Sequence, residues 1–168
     1  SFNSGEKYVW SLAFDRSGNL YAGTGMTGKL YKISPDGKGK VVYDSNDAHI
    51  KSVLSSGDYV YAGTEGGGII YKVSSDDKVF VLYDTSEREI CCLAVDAHGN
   101  LYAAAASGEA APGRNEQGPS GPPGLERDKT ERRSAVYQIT PDDVVTQIWR
   151  SPDPLIFSMI VDGENLLA

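Results

Sequence analysis

Acidic side chains recur in the short segments between candidate strands, and carboxylates are residue types that could bind a metal or take part in catalysis. They are Asp47, Glu65, Glu87, Glu89 and Asp153. Carboxylate oxygens are the ligands that hard divalent cations such as calcium prefer, so a metal site is one interpretation of the set. We favour a solvated acidic rim with no cofactor, because charged side chains lie mostly on protein surfaces.

Three further residues have side chains that could act in catalysis. His49 is a candidate for general acid–base work, since an imidazole titrates near neutral pH. Cys91 and Cys92 are adjacent, and neighbouring strand residues point to opposite faces, so these two are poorly placed to bridge each other. We expect two small buried thiols. The sequence has no nucleophile–base motif, phosphate-binding loop or Cys/His metal spacing, and we predict no catalytic residue.

A repeat positions these residues, and tyrosines mark its period. Tyr21, Tyr61 and Tyr102 recur at intervals of about 40 residues, the size of one four-stranded β-propeller blade. The prediction is an all-β propeller segment forming a single partial domain over residues 1–168, with three complete four-stranded blades and the first half of a fourth. The blades are expected at residues 8–45, 49–85, 89–151 and 155–168. The three tyrosines should be largely buried between neighbouring blades.

Turn residues divide each blade into strands. In the first blade the candidate strands are 9–14, 20–24, 29–33 and 40–44, and Gly, Asn and Pro punctuate the connections between them. The third blade carries extra residues between its second and third strands, at 108–133. Pro, Gly and charged residues dominate that segment, so we expect a flexible insert on the surface.

One position in the first strand differs in every blade. It is occupied by Trp10, Lys51, Cys91 and Phe157. The next residue is small in each blade, as crowding near a central axis would require. A position fixed by the scaffold should hold similar residues, so the variable one is either half-exposed without a role or functional.

Two sequence motifs resemble a known group of proteins. D-x-x-G-N-L-Y-A-G-T at 15–24 and L-Y-K-I-x-P-D-G-K at 30–38 are similar to bacterial propellers of the NHL-like group and of the gluconolactonase and streptogramin-lyase-like group. The resemblance implies that the first strand of each blade lies nearest the axis. It also implies that the loops from strand four to strand one and from strand two to strand three share the face that binds ligands.

The resemblance therefore places a binding site at the mouth of the central channel. The candidate residues there are Trp10, Lys51, Cys91, Phe157, His49, Glu65, Glu87 and Glu89. Gluconolactonase-like propellers hold a divalent metal with carboxylates at this mouth, but no set of residues in this chain matches that site one by one.

Charge and hydropathy restrict the partners. A net charge of −7 with scattered basic residues argues against nucleic acid, and no apolar run is long enough to span a membrane. We favour a non-catalytic binding module for a protein, peptide or glycan. A metal-dependent lactonase-like hydrolase or lyase and a structural segment of a larger assembly remain alternatives. The expected partner for the open blades is the remainder of the propeller, from the same or another chain.

Overall fold

A computed structural model describes residues 2–107, 133–152, 156–163 and 165–168. All regular structure in these residues is β-strand, with antiparallel pairing throughout, which confirms the predicted fold class. The insert predicted at 108–133 lies outside the described residues except for Arg133, where a strand begins.

Three four-stranded blades and a final hairpin follow one another along the chain. The first blade comprises β1 (Tyr8–Phe14), β2 (Leu20–Gly25), β3 (Lys29–Ile33) and β4 (Gly39–Asp44). The second comprises β5 (His49–Ser56), β6 (Tyr59–Glu65), β7 (Ile69–Ser74) and β8 (Val79–Asp84). The third comprises β9 (Glu89–Val95), β10 (Leu101–Ser107), β11 (Arg133–Ile139) and β12 (Val145–Ser151). The fourth unit contributes β13 (Ile160–Asp162) and β14 (Asn165–Leu167), which pair with each other in a separate two-stranded sheet.

The Asp-x-x-Gly-Asn sequence forms the turn between the first two strands of a blade. Asp15 Oδ1 accepts hydrogen bonds from the backbone N–H groups of Ser17 at 2.9 Å and Asn19 at 2.8 Å. Gly18 takes a φ of 80°, which a residue with a side chain rarely adopts. Burial opposes ionisation of Asp15, but the hydrogen bonds from Asn19 and Ser17 outweigh it and lower the pKa of the carboxyl group. The same turn recurs at Asp96 in the third blade.

The hydrophobic core lies between adjacent blades. The cluster between the first and second blades contains Tyr21, Leu30, Ile50, Val53, Val60, Ala62, Tyr71 and Val73. The cluster between the second and third contains Ile70, Ile90, Leu101, Ala103, Ala105, Ala135, Tyr137 and Ile139. The predicted tyrosine burial holds only for Tyr21, which is 2% exposed, whereas Tyr61 and Tyr102 are half-buried.

Ion pairs also join neighbouring blades. Lys32 Nζ on β3 lies 2.9 Å from Asp77 Oδ1 of the second blade, and Lys72 Nζ on β7 lies 2.7 Å from Asp143 Oδ1 of the third. Each aspartate adopts a φ of 63° in the turn between its blade's third and fourth strands, so the two blade interfaces repeat one geometry. The described part of the chain contains no helix that could cross a membrane.

Candidate functional site

Short loops of two kinds meet on one face of the molecule, which we call the loop face. It is formed by the hairpin turns 25–28 and 65–68 and by the blade connections 45–48 and 85–88. Ser45 N–H donates to the Gly28 carbonyl at 3.0 Å, and Thr85 N–H donates to the Gly68 carbonyl at 3.2 Å. A Cβ at Gly28 would collide with the Asp47 carbonyl, so this close approach requires glycine.

The first strands of the three blades lie side by side. β5 packs against both β1 and β9. Ser11 Oγ accepts a hydrogen bond from Val53 N–H at 3.0 Å, and Ser52 Oγ donates to the Ile90 carbonyl at 3.1 Å. Small side chains at these positions let neighbouring first strands approach, as the sequence comparison between blades suggested.

The variable position is a β-bulge in all three complete blades. The pairing of β1 with β2 passes from Val9 to Ser11, so Trp10 is an extra residue on its strand. Lys51 is skipped in the same way on β5, and Cys91 on β9. A bulge interrupts the alternation of a strand and redirects one side chain. The sequence showed only that this position varies, and the structure shows that it is the unpaired residue of a bulge.

The bulges bring charged and aromatic side chains from three blades together. Lys51 Nζ lies 4.4 Å from the centroid of the Trp10 ring, 3.4 Å from Glu65 Oε2 and 3.5 Å from Glu89 Oε1. Glu65 and Glu89 are register partners across the junction of the second and third blades. Burial disfavours the ammonium, but these two carboxylates outweigh it and raise the pKa of Lys51. We call Trp10, Lys51, Glu65 and Glu89 the Lys51 cluster.

His49 positions the indole ring of this cluster. Trp10 Nε1–H donates to His49 Nδ1 at 3.1 Å, and Met26 N–H donates to the same nitrogen at 3.3 Å. Because Nδ1 accepts two hydrogen bonds, a neutral imidazole must carry its proton on Nε2. Tyr8 stacks on the Trp10 ring, with ring centroids 5.4 Å apart. Tyr8 and Met26 were not identified from the sequence, where the only indication was that Tyr8 stands two residues before Trp10 and that Met26 lies in the 25–28 turn.

Cys91 and Phe157 do not join the Lys51 cluster as ligand-facing groups. Cys91 and Cys92 are free thiols, and both are half-buried, whereas the sequence predicted buried ones. Burial, with the nearby Glu89 carboxylate, raises the pKa of Cys91 to about 12, so its thiol stays protonated at neutral pH. Phe157 is 82% exposed and lines a separate cavity together with Trp149.

Glu87 contradicts the expectation of a solvated acidic rim. Its side chain is buried, with Oε2 accepting from the Tyr137 hydroxyl at 2.6 Å and Oε1 from the Ser86 hydroxyl at 3.0 Å. Arg133 Nε lies 3.7 Å from Oε1. The connection before β9 folds inward, so Glu87 anchors the third blade and is not available to a ligand on the loop face.

The first blade contains the equivalent anchor. Tyr31 hydroxyl lies 3.1 Å from Glu6 Oε1, and Thr27 hydroxyl donates to Glu6 Oε2 at 2.6 Å. Glu6 and Glu87 each stand two residues before the first strand of their blade. This common offset was a signal that the sequence contained.

The remaining acidic residues do not form a metal centre in the part of the chain that the structure describes. No group of three or more His, Cys, Asp or Glu side chains in the described ranges could hold a metal ion. Glu65 and Glu89 face the Lys51 ammonium, and Asp47 lies against the 66–67 turn. Asp153 lies outside the described residues.

Comparison with known proteins shows the fold. No protein-family model and no curated protein matches this chain. Among solved structures, one chain of a nidogen/laminin complex has 15% identity and a TM-score of 0.65, covering 92% of this chain and 52% of that one. Virginiamycin B lyase from Staphylococcus aureus has 11% identity and a TM-score of 0.63, covering 98% and 48%.

A third solved structure agrees with the first two. The extracellular domain of a one-component system from B. thetaiotaomicron has 18% identity and a TM-score of 0.62, covering 94% of this chain and 20% of that one. These neighbours are β-propeller-like, and the chain spans about half the length of the first two. At such identities the likeness establishes a β-propeller architecture and nothing about activity.

Proposed function

We propose that this propeller segment is a non-catalytic binding module that holds a protein or peptide on the loop face. The observation that carries the proposal is the repeated β-bulge, which places Trp10 and Lys51 side by side on adjacent blades. Bulges next to binding sites redirect single side chains while the rest of the strand keeps its pairing.

The composition of the cluster suits recognition of a polypeptide. Trp10 is 43% exposed and its neighbour Tyr8 is 40% exposed, so two stacked aromatic rings face solvent. Tryptophan and tyrosine are among the residue types that contribute most to the binding energy of protein interfaces. A glycan would also stack on Trp10, and it is an outcome that the experiment below separates from a peptide.

The groups around the cluster support binding over catalysis. His49 Nδ1 is engaged by Trp10 and Met26, and the neighbouring Cys91 thiol is protonated at neutral pH. A general base needs a free lone pair within reach of its substrate, and a nucleophilic cysteine needs a lowered pKa. Neither requirement is met by these two residues as they stand.

Selection from a random peptide library on the immobilised chain tests the proposal. Peptides enriched on the unmodified protein are titrated against a Trp149→Phe background, in which Trp10 is the remaining tryptophan and reports binding by its fluorescence. We expect saturable binding that Trp10→Ala weakens at least tenfold, measured by isothermal titration calorimetry because this variant lacks the fluorescent reporter. Phe80→Ala is the matched control, because Phe80 is a 54% exposed aromatic residue on β8.

Two results would count against a peptide-binding loop face. One is that no peptide is enriched above background. Binding on a glycan array that depends on Trp10 would then indicate a carbohydrate ligand. The other is binding that Trp10→Ala and Phe80→Ala leave equally unchanged.

A further inference from the structure

We propose that the loop face recognises a lysine or arginine side chain of its partner, and that this side chain takes the place of the Lys51 ammonium. The inference rests on the proposed binding function and specifies its ligand. Lys51 would then be an internal occupant of a cation site formed by Trp10, Glu65 and Glu89.

The geometry around Lys51 is that of a cation receptor. One aromatic face and two carboxylates from three different blades surround a single ammonium group. An ammonium or guanidinium over the face of a tryptophan is attracted by the ring quadrupole, and carboxylates add direct charge attraction. Two carboxylates against one ammonium leave the cluster with a net negative charge, which favours a cationic ligand.

Lys51 is held more loosely than other lysines in the same molecule. Its nitrogen lies 3.4 and 3.5 Å from the glutamate oxygens, whereas Lys72 lies 2.7 Å and Lys32 lies 2.9 Å from their aspartates. Charge-assisted hydrogen bonds usually measure about 2.7 to 2.9 Å, so the Lys51 contacts are ion pairs without short hydrogen bonds. A ligand that makes shorter bonds to the same oxygens can compete.

The cluster is also open enough for exchange. The side chains of Glu65 and Glu89 are 41% and 31% exposed, and Trp10 is 43% exposed. The Lys51 side chain itself is 25% exposed, so its ion pairs are partly buried, and the cost of moving it aside must be offset by shorter contacts from the incoming cation. Its flexible four-carbon stem allows the ammonium to swing away while the bulged backbone stays in place.

The repeat shows that the fold does not need these charges. The register pair equivalent to Glu65 and Glu89 is Gly25 and His49 at the preceding blade junction. The positions equivalent to Lys51 hold uncharged residues. The scaffold is therefore built at one junction without the two carboxylates and the ammonium, so their presence at the next junction indicates a role other than folding.

Blocked Gly-Lys-Gly, Gly-Arg-Gly and Gly-Gln-Gly peptides are the probes that test the inference. Binding is followed by Trp10 fluorescence in the Trp149→Phe background and by NMR shifts of the Trp10 indole N–H. We expect the lysine and arginine peptides to bind and the glutamine peptide not to bind. Lys51→Met keeps the aliphatic stem but removes the competing charge, and it should tighten binding of the cationic peptides about three- to tenfold.

Glu65→Gln and Glu89→Gln should each weaken the same binding about tenfold, and raising the salt concentration should weaken it further. Lys38→Ala is the control, since Lys38 is 86% exposed in a turn and pairs with Asp36 there. An unchanged affinity in Lys51→Met would overturn the displacement of Lys51. Equal binding of all three peptides would overturn cation recognition.

The two proposals fail in different ways. If library peptides bind through Trp10 but contain no lysine or arginine at their contact positions, the cation inference is wrong and the binding module stands. If neither library peptides nor cationic tripeptides bind in any variant, both proposals are wrong.

Discussion

Removing one hydroxyl group from the buried anchor of the third blade should lower the stability of the chain substantially. The Tyr137 hydroxyl donates to Glu87 Oε2 at 2.6 Å, and the two residues are 3% and 2% exposed. A hydrogen bond to a charged group contributes about 1.5 to 3 kcal/mol. Tyr137→Phe leaves a buried carboxylate oxygen without this donor, so we expect a loss of about 2 to 3 kcal/mol in the free energy of unfolding.

Urea unfolding followed by tryptophan fluorescence measures this loss, and thermal unfolding should show a fall in Tm of roughly 4 to 12 °C for a chain of this size. Tyr83→Phe is the matched control, because the Tyr83 ring lies 5.2 Å from the Tyr137 ring and keeps that contact without its hydroxyl. The control should lose less than about 0.5 kcal/mol. Similar small losses in both variants would refute the assignment of Glu87 as a buried anchor.

Three further outcomes follow from packing, pH and exposed surface. Ile70→Ala should lower the free energy of unfolding by about 2 to 5 kcal/mol, because Ile70 is fully buried. Val81→Ala is the control and should change it by less than about 0.5 kcal/mol, because Val81 is 60% exposed. Equal losses in the two variants would contradict the position of the core. Burial raises the pKa of Tyr71 and of Tyr137 to about 12, above the value of about 10 expected in the unfolded chain. Their stabilising effect is therefore complete below pH 10 and should be lost as the pH rises from about 10 to 12. A free energy of unfolding that stays constant over this interval in urea titrations would contradict the prediction. The first blade exposes apolar side chains such as Phe14, and exposed apolar surface favours association. Sedimentation velocity at micromolar concentration should therefore show association of the chain. A monomer at every concentration would be the contrary result.

The architecture was predictable because turn chemistry and aromatic spacing repeat together. In the first blade the strands begin and end within one residue of the predicted limits, from Tyr8–Phe14 to Gly39–Asp44. The Asp15 turn shows why, since its hydrogen bonds depend on side chains that lie next to one another in the sequence. The fourth unit was less predictable. Residues 156–159 form no strand, although the repeat predicted the first strand of a blade there.

The candidate site was predictable only in part. Comparison between blades identified Trp10 and Lys51 as members of one variable position, but a bulge is a property of two paired strands and leaves no local signature. The burial of Glu87 was missed for a related reason. Its partner Tyr137 is 50 residues away, and in the sequence only the offset that Glu87 shares with Glu6 distinguishes it from a solvated loop carboxylate.

The repeated bulge has a consequence for how such a propeller can change over evolutionary time. Strand pairing resumes at Ser11, Ser52 and Cys92, whatever residue occupies the position just before. A substitution at Trp10 or Lys51 therefore replaces one side chain on the loop face and leaves the alternation of the strand unaltered. Each blade thus contributes one residue that selection can exchange independently, so ligand preference can diversify blade by blade while the scaffold is conserved.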